Sequence, residues 1–523
     1  MSAPTNEVRS AGAAAWPAEG DGLAGELRIL WRGSSVGIFG QAANAALAFC
    51  FSLVVSRLFH ARGTGTLFEA MAIFAIASNI GDLGADDGLN WKVPRLRAER
   101  RSADIRRLLP IACLPVLVVS SAIAAAVFLG AVPIAHLFTH GETSTHLSSF
   151  LRILAPFVPV AALVEVLIAG TRGFDRVWPL AAVWSVVIPV FRLLLLPVTL
   201  GLGLGLVGVA YSWAIPIILG AMALAWTLWS FVEHEREPVT TDVPATERSV
   251  LAREFWFFSA PRAVASICSM ALVWVDVLLV GYIVSLRMAG IYGVANRYML
   301  VVTFALAAVG GTIGPQISRL LSRGRMADVQ TLYQTATGWV MAVAWPMALT
   351  LAVFSPVFMR LFGVEFAAGD TALTILALMM LYVSATGNNV VVLVMTGLTT
   401  TSLWVGIFTI TLNVGANLLL IPRFGIDGAA VAWAISLLAS NVLINAILYR
   451  RFGLHPVGPA FVPVALTATG CIAVPAVLAR LVLGAHWSAV LLTAATGGVA
   501  YVVLLWRMRD RLALAEFLAR FTR

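Results

Sequence analysis

The sequence predicts an all-α polytopic membrane protein of about 14 transmembrane helices: two six-helix lobes related by a parallel internal repeat, plus two extra C-terminal helices. Three observations support this prediction: the composition, the number of long apolar runs, and stretches that occur twice. Hydrophobic residues make up 60% of the 523 positions and charged residues 12%, with a mean hydropathy of +0.91. A soluble chain of this length could not bury so much apolar surface, so we expect many membrane crossings.

Fourteen apolar runs approach or exceed the roughly 20 residues that a helix needs to cross a bilayer. Six precede a polar segment at 232–256 and eight follow it. The predicted helices lie near 33–56, 67–89, 108–135, 149–171, 178–199, 205–231, 257–284, 290–314, 333–359, 371–396, 400–421, 426–449, 458–482 and 487–506.

The distribution of positive charge predicts the orientation. With the N-terminus inside, the inner segments hold 25 Lys and Arg residues, the outer connections hold 7, and three arginines lie within spans. Basic residues are enriched on the cytoplasmic side, so we expect both termini in the cytoplasm. Arginine and alanine are abundant and Lys92 is the only lysine, which favours a GC-rich bacterial genome and therefore the bacterial plasma (inner) membrane.

Four stretches occur twice, in the same order and 220 to 225 residues apart. RLRAERRSADIRRLL from Arg95 and RLLSRGRMADVQTLY from Arg319 share six of fifteen positions. The others are Arg62 with Gly65 against Arg287 with Gly290, RLLLLP against NLLLIP, and GLVGVAYSWAI from Gly205 against GIDGAAVAWAI from Gly425. Six helices per copy is an even number, so both copies enter the membrane in the same direction. The implied pseudo-two-fold axis along the membrane normal is typical of transporters whose two bundles rock about a central site.

The repeat divides the chain into segments. A polar cytoplasmic segment (1–32) precedes the first lobe (33–231), a cytoplasmic linker (232–256) joins it to the second lobe (257–450), and helices thirteen and fourteen (458–506) have no copy. The tail (507–523) alternates arginines with a stripe of apolar residues, which predicts an amphipathic helix on the cytoplasmic surface.

Several functions are excluded or disfavoured by the residue pattern. Lys92 follows Trp91 rather than glycine, so the chain has no Walker A loop. The four cysteines are spaced singly in apolar runs, which fits neither a disulfide framework nor a metal site. The net charge of +9 is explained by the positive-inside distribution, so no nucleic-acid partner is expected. We expect no catalytic residues, no metal and no cofactor, apart from possible coupling to H⁺ or Na⁺.

Several segments resemble a known family. DVLLVGYIVSLRMAGIYGVANRYM from Asp276, LFGVEF from Leu361 and IPRFGIDGAAVAWAIS from Ile421 are similar to segments of polysaccharide transporters. NIGDLGADDGLNWKVPRL from Asn79 resembles the segment where such proteins leave their second helix. Over roughly residues 33–450 the chain resembles the oligosaccharide (O-antigen-type) flippase branch of the multidrug/oligosaccharidyl-lipid/polysaccharide (MOP) exporter superfamily.

This resemblance implies two lobes around a polar cavity and alternating access. The implied cargo is a polyprenyl-diphosphate-linked oligosaccharide, moved from the cytoplasmic to the outer leaflet for cell-surface polysaccharide biosynthesis. In some relatives the two extra helices form a groove for the lipid tail. Glycan polymerases or glycosyltransferases are the implied protein partners, alongside membrane lipid.

Cations within the spans are the candidate ligands for a diphosphate, because an intramembrane charge is costly and arginine matches phosphate geometry. Arg297 and Asp276 are predicted at one depth on neighbouring helices, either as a structural ion pair or as a pair for which cargo or a proton competes. Arg262 lies near a cytoplasmic helix end, where it either snorkels or meets arriving diphosphate. Arg192 either lines the cavity or snorkels outward. Asn44 is explained by interhelical hydrogen bonding or by sugar contact.

Glu69, Asp82 and Glu165 are the candidates for ion coupling, together with Asp276. If H⁺ or Na⁺ drives export, one of these buried acids should bind the ion. The ordinary alternative for Asp82 is a hydrogen-bonded helix end, since it shares a helix face with Asn79.

Three other classes of function compete with the flippase interpretation. A lipid II flippase would also have fourteen helices, and a multidrug or ion antiporter of the same superfamily would share the repeat. Such an antiporter usually has an acid-lined pocket, whereas the intramembrane arginines favour an anionic cargo. A membrane glycosyltransferase or polysaccharide polymerase needs a large outer loop or domain, and the outer connections here are short.

Overall fold

The computed structural model describes residues 22–99, 101–139, 145–174, 176, 178–234 and 247–508, and all regular elements within these ranges are helical. Most of the predicted N-terminal segment, the middle of the predicted linker and nearly all of the predicted amphipathic tail lie outside these residues. The all-helical fold class is confirmed.

The first lobe consists of helices around one hydrophobic cluster that includes Leu89, Phe150 and Leu224. A 3₁₀ turn (Ala155–Phe157) and a π-helical segment (Leu180–Val187) interrupt two of its spans. The helices are α1 (Gly22–Asp82), α2 (Ala85–Ala98), α3 (Ser102–Leu129), α4 (Ala131–Thr139), α5 (Thr145–Leu154), α6 (Val158–Gly173), α7 (Ile188–Gly201) and α8 (Gly205–His234).

The second lobe is built around a cluster that includes Tyr292, Phe366 and Met380. Its helices are α9 (Arg248–Ile283), α10 (Leu286–Ser322), α11 (Met326–Val353), α12 (Ser355–Phe362), α13 (Asp370–Ala385), α14 (Asn389–Met395) and α15 (Thr399–Phe452), with a 3₁₀ segment at Val364–Gly369.

The C-terminal helices pack against α11 of the second lobe. The Tyr501 hydroxyl donates to the carbonyl oxygen of Ala342 at 2.8 Å, and Val464 packs beside Met341. These helices are α16 (Phe461–Ala468), α17 (Val474–Leu483), α18 (Trp487–Thr493) and α19 (Val499–Arg507), with π-helical segments at Thr469–Ala473 and Ala494–Gly498.

Two of the long helices fold back on themselves. α1 contains His60 at φ 58°, ψ −174°, and α15 contains Gly425 at φ 58°, ψ −133°. The Asn413 amide donates to Ser436 at 3.3 Å, although 23 residues separate them. A straight helix would hold these residues about 35 Å apart. α15 is therefore a hairpin of two antiparallel segments. So is α1, because its residues Ala48 and Met71 line one cavity although 23 residues separate them.

Within the described residues, 12 helices are long and apolar enough to cross a membrane, and the two hairpins are among them. The chain is thus a multi-pass membrane protein. The total of fourteen spans stays a prediction. We call the end of the bundle with the His60 and Gly425 turns the predicted outer end, and the opposite end the predicted cytoplasmic end.

Five predicted spans are broken where the sequence indicated one helix. α3 ends before Gly130, a 3₁₀ turn separates α5 from α6, and α11 ends before Phe354. The other two breaks contain residues with positive φ. The span predicted at 67–89 is interrupted by Leu83 and Gly84, both with positive φ, before α2 begins. The span predicted at 371–396 is interrupted between α13 and α14, where Gly387 has φ 61°. Both breaks fall at glycine and polar residues, in GDLGADDG from Gly81 and TGNN from Thr386, which the length and mean hydropathy of a span do not register.

The repeated stretch at Arg95 and Arg319 forms the same turn in both lobes. In the first copy Arg101 precedes α3 and pairs with Asp104 in its first turn at 2.6 Å. In the second copy Arg325 precedes α11 and pairs with Asp328 at 2.5 Å. A carboxylate in the first turn favours the helix N-terminus. The duplication therefore preserves a helix start next to a basic loop.

The repeat-related glycines Gly65 and Gly290 pack against each other between the lobes. A Cβ atom on Gly65 would overlap the carbonyl oxygen of Leu286, and one on Gly290 would overlap that of Ala61. Glycine is therefore required at both positions, because two helix backbones approach too closely for any side chain. This contact joins the lobes near the predicted outer end.

We predict that Gly65→Ala destabilises the protein by about 1–3 kcal/mol, the usual cost of overpacking. Gly406→Ala is the matched control, because Gly406 has open space around it. Thermal unfolding in detergent, followed by size-exclusion chromatography, would compare them. Equal unfolding temperatures for the two variants would contradict the close contact.

Candidate functional site

A cavity of about 420 Å³ lies between the two lobes. Its size falls within the range of small-molecule sites. The described lining includes two arginines, Arg192 and Arg297, two amides, Gln41 and Asn44, and Thr303, and the remaining lining residues are apolar. No Asp or Glu belongs to this described lining, so the cavity is cationic.

Arg192 enters the cavity from α7 of the first lobe. Its Nε donates to the carbonyl oxygen of Trp213 at 3.0 Å, and its guanidinium carbon lies 4.3 Å from the centre of the Trp213 ring. The tryptophan on α8 thus fixes the arginine by a hydrogen bond and a cation–π contact. Within the described structure the two terminal nitrogens of Arg192 have no protein partner and can bind an anion.

Arg297 enters from α10 of the second lobe and is held by aromatic rings. Its guanidinium carbon lies 4.8 Å from the centre of the Phe68 ring and 5.4 Å from that of Trp274. Phe68 belongs to the first lobe, so the second-lobe arginine stacks on a ring from the other lobe. No described carboxylate lies within salt-bridge distance of Arg297. Three predicted binding residues, Arg297, Arg192 and Asn44, therefore meet in one cavity.

The predicted pairing of Asp276 with Arg297 is wrong in this structure. Asp276 is buried and accepts hydrogen bonds from Asn417 at 2.7 Å and from the Tyr292 hydroxyl at 3.2 Å. The two charged residues do lie on adjacent helices. However, Trp274, two residues before Asp276, faces Arg297, and two residues correspond to about 200° of rotation around a helix. Asp276 therefore points away from the cavity.

A chain of amides extends from Asp276. The Asn417 amide also donates to the side-chain oxygen of Asn413 at 3.1 Å, and the Asn413 amide donates to Ser436. The Asn417 oxygen is buried without a hydrogen-bond partner among the described residues. Asp276 is thus held by neutral donors, away from both cavity arginines.

Arg262, the fourth predicted binding residue, lies outside the cavity lining. Its Nε is 3.6 Å from Asp87 Oδ2, and its guanidinium lies 5.1 Å from the centre of the Phe258 ring. Arg262 therefore joins the lobes at the predicted cytoplasmic end.

A second ion pair joins the lobes at the same end. Lys92 on α2 pairs with Glu254 on α9 at 2.5 Å. Beside it, the rings of Trp91 and Phe258 stack at 4.3 Å.

The other acids predicted for ion coupling lie in the first lobe, outside the cavity lining. Glu69 is fully buried against Gly281, and neither carboxyl oxygen has a partner among the described residues. Asp82 is buried at the end of α1, where the helix breaks, with Asp86 and then Glu165 as its charged neighbours. Their coupling role stays a prediction.

The sequence reasoning missed the aromatic residues that position the arginines, namely Phe68, Trp213 and Trp274. The chain contains 16 tryptophans and 27 phenylalanines. Hydropathy treats all of them as apolar core, so only the fold reveals which rings face a cation. Glu365, which lies at the predicted outer end, was missed because an acid in an outer connection is ordinarily solvated.

The chain matches the family described as "Polysaccharide biosynthesis protein" over residues 30–321, more than half of its length. Two curated relatives come from Haloferax volcanii. The "Probable low-salt glycan biosynthesis flippase Agl15" is 30% identical over 190 residues, which is 35% of this chain and 39% of that protein. The "Probable flippase AglR" is 25% identical over 281 residues, which is 52% and 55%. The matches thus span less than two thirds of either relative.

Solved transporters share the fold. The lipid II flippase MurJ in an inward closed conformation superimposes with a TM-score of 0.69 at 13% identity, covering 92% of this chain and 99% of that one. An inward-facing multidrug resistance MATE family transporter of the MOP superfamily gives 0.61 at 14% identity, covering 82% and 95%. At such identities the likeness shows the fold alone. Together with the family match, it confirms the resemblance seen in the sequence.

We predict that exchanging the charges of Asp276 and Arg297 (Asp276→Arg with Arg297→Asp) does not restore stability. The double variant should be no more stable than the less stable of the two single variants. The reason is that the two groups occupy different environments. Thermal unfolding of the single and double variants gives the coupling between them. Lys92→Glu with Glu254→Lys is the matched control, in which the double exchange should recover stability. Recovery at Asp276 and Arg297 as well would restore the ion-pair interpretation.

Proposed function

Because the chain belongs to the polysaccharide biosynthesis protein family, we propose that it is a flippase for a polyprenyl-diphosphate-linked oligosaccharide. The cargo moves from the cytoplasmic to the outer leaflet of the bacterial plasma membrane. The two lobes provide alternating access, and the product serves cell-surface polysaccharide biosynthesis. The protein performs no covalent chemistry of its own.

The observation that supports this proposal is the cationic cavity between the lobes. A diphosphate needs several donors in a site that water does not fill, and guanidinium groups offer paired N–H groups with fixed geometry. Arg192 comes from the first lobe and Arg297 from the second. An anion held by both arginines therefore bridges the lobes, so its release can accompany their separation.

The other parts of the cargo have matching surfaces. The amides of Gln41 and Asn44 and the hydroxyl of Thr303 supply hydrogen bonds for sugar hydroxyls at the cavity wall. The C-terminal helices present exposed apolar residues such as Leu481 and Val482. We assign that surface to membrane lipid and to the polyprenyl tail of the cargo.

Ion coupling remains part of the proposal. The acids that can take H⁺ or Na⁺ are Asp276 in its amide network and Glu69, Asp82 and Glu165 in the first lobe. None of them belongs to the described cavity lining, so an ion and the anionic cargo would occupy separate sites. Glycan polymerases or glycosyltransferases are the proposed partners, because they would supply or consume the cargo.

A lipid II flippase is the second candidate, because the MurJ fold covers 92% of this chain. Its cargo would use the same diphosphate chemistry and differ in the glycan. A multidrug antiporter also shares the fold, but cationic drugs need acids in the pocket, and the described lining has none. The cavity therefore favours an anionic lipid-linked glycan.

We predict that Arg297→Ala and Arg192→Ala each reduce flipping at least tenfold, since each removes one charged ligand of the diphosphate. The measurement is the amount of lipid-linked oligosaccharide on each leaflet in a deletion strain that expresses the variants at equal membrane levels. Arg423→Ala, an exposed arginine outside the cavity, is the control. Wild-type leaflet ratios in both cavity variants would remove the arginines from the cargo path.

The deletion strain itself separates the candidate functions. Surface-polysaccharide intermediate stranded on the cytoplasmic leaflet supports the proposal. Stranded lipid II with normal surface polysaccharide would favour the second candidate. Accumulation of a drug with neither intermediate stranded would contradict both.

A further inference from the structure

Glu365 joins the two lobes at the predicted outer end. It lies in the 3₁₀ segment after α12, in the second lobe. Its Oε1 accepts a hydrogen bond from the backbone N–H of Ala61 at 2.8 Å and lies 3.3 Å from Nδ1 of His60. Its Oε2 lies 3.6 Å from Nε of Arg287. One carboxylate thus binds the turn of the α1 hairpin and the start of α10 together.

The contact with Ala61 caps a helix across the lobe interface. Ala61 is the first residue after the α1 turn, where the second arm of the hairpin begins. The first N–H groups of a helix lack partners within that helix, and a carboxylate there satisfies one of them and favours the helix dipole. Here the capping group comes from the other lobe. A second contact lies beside it, because Nε of Arg57 donates to the carbonyl oxygen of Leu361 at 2.7 Å.

His60, which precedes the capped residue, has a strained backbone. Its φ of 58° and ψ of −174° belong to a region that is essentially restricted to glycine. Within the described residues, His60 and Leu83 are the non-glycine residues with positive φ. Such a conformation persists only where surrounding contacts fix it. Glu365 supplies two of the contacts that fix it here, with Ala61 and His60, and the Thr64 hydroxyl donates to the carbonyl oxygen of His60 at 2.8 Å.

We propose that Glu365 is a latch that holds the lobes together at the predicted outer end, and that the His60 turn is the strained element it holds. Separating the lobes removes Glu365 from Ala61, and the turn can then relax. The strain therefore works against the latch, so the closed outer end opens more readily than its contacts alone would allow. This inference concerns gating and does not depend on the identity of the cargo.

Distances between spin labels on the two lobes test the latch. Leu202 and Phe424 lie beside the repeat-related turns at Gly205 and Gly425, one in each lobe, and both are exposed. We would label Leu202→Cys and Phe424→Cys in a cysteine-free background and reconstitute the full chain in nanodiscs. Double electron–electron resonance then measures the closed and open fractions without cargo.

Glu365→Ala should raise the open fraction at least threefold over the parent. Glu365→Gln should fall between the two, because it keeps an oxygen for Ala61 but loses the charge facing His60 and Arg287. Asp370→Ala is the control, since that nearby carboxylate bonds only to Thr371 among the described residues. Elution as a single monodisperse peak confirms that each variant is folded.

His60→Gly in the Glu365→Ala background tests the strain separately. The carboxylate is already absent there, so the substitution removes only the backbone cost of the closed turn and should return the open fraction toward the parent value. If Glu365→Ala matches Asp370→Ala, the latch is wrong. If the double variant opens as far as Glu365→Ala alone, the proposal that His60 strain opposes the latch is wrong.

Discussion

The close contact between Gly65 and Gly290 sets how closely the two lobes pack, and with it the position of the side chains and the cavity between them. These glycines are repeat-related, and their helices meet with no space for a Cβ atom. One turn further along the same face, Phe68 and Glu69 press against Gly293 and Gly281 of the other lobe. Small residues on one helix leave space for bulky side chains of the neighbouring helix. The cavity begins where this packing ends.

That packing also explains why the cavity stays cationic. Phe68 is fixed between the lobes and places its ring against Arg297, so the guanidinium is oriented by aromatic faces. Asp276 is held on the opposite side of its helix by Asn417 and Tyr292. A carboxylate beside Arg297 would neutralise it and compete with an anionic ligand. Separating the two charges leaves the guanidinium free of a described carboxylate, as the proposed anionic cargo requires.

The sequence predicted the helices and the internal repeat, because these depend on apolar runs and on duplication. It did not predict which side of a helix a given residue faces. The repeat at Arg95 and Arg319 correctly indicated equivalent turns, and the apolar runs indicated the helices. Counting residues from the outer loop placed Asp276 and Arg297 on adjacent helices but could not show that they face different ways. The breaks near Leu83 and Gly387 were missed for a different reason. Glycine and polar residues mark both of them, in GDLGADDG and TGNN, but the length and mean hydropathy of a span do not register a local break.

Both ends of the lobe interface combine buried glycine packing with charged contacts, and this bears on the alternating access proposed above. At the predicted cytoplasmic end, Gly84 and Gly88 pack against α9 with no space for a Cβ atom, beside the partly exposed ion pairs of Lys92 and Arg262. Exposed pairs contribute about 0–1 kcal/mol each, so the packing must hold most of that end closed. At the predicted outer end the contact between Gly65 and Gly290 has the same role, and the Glu365 bonds add to it. Opening either end therefore breaks buried packing and requires a compensating term, and at the outer end the strained turn at His60 supplies part of one. In the proposed cycle, cargo bound by both cavity arginines would stabilise the closed interface, so outward release must draw on another source of free energy, such as the ion binding proposed for the buried acids.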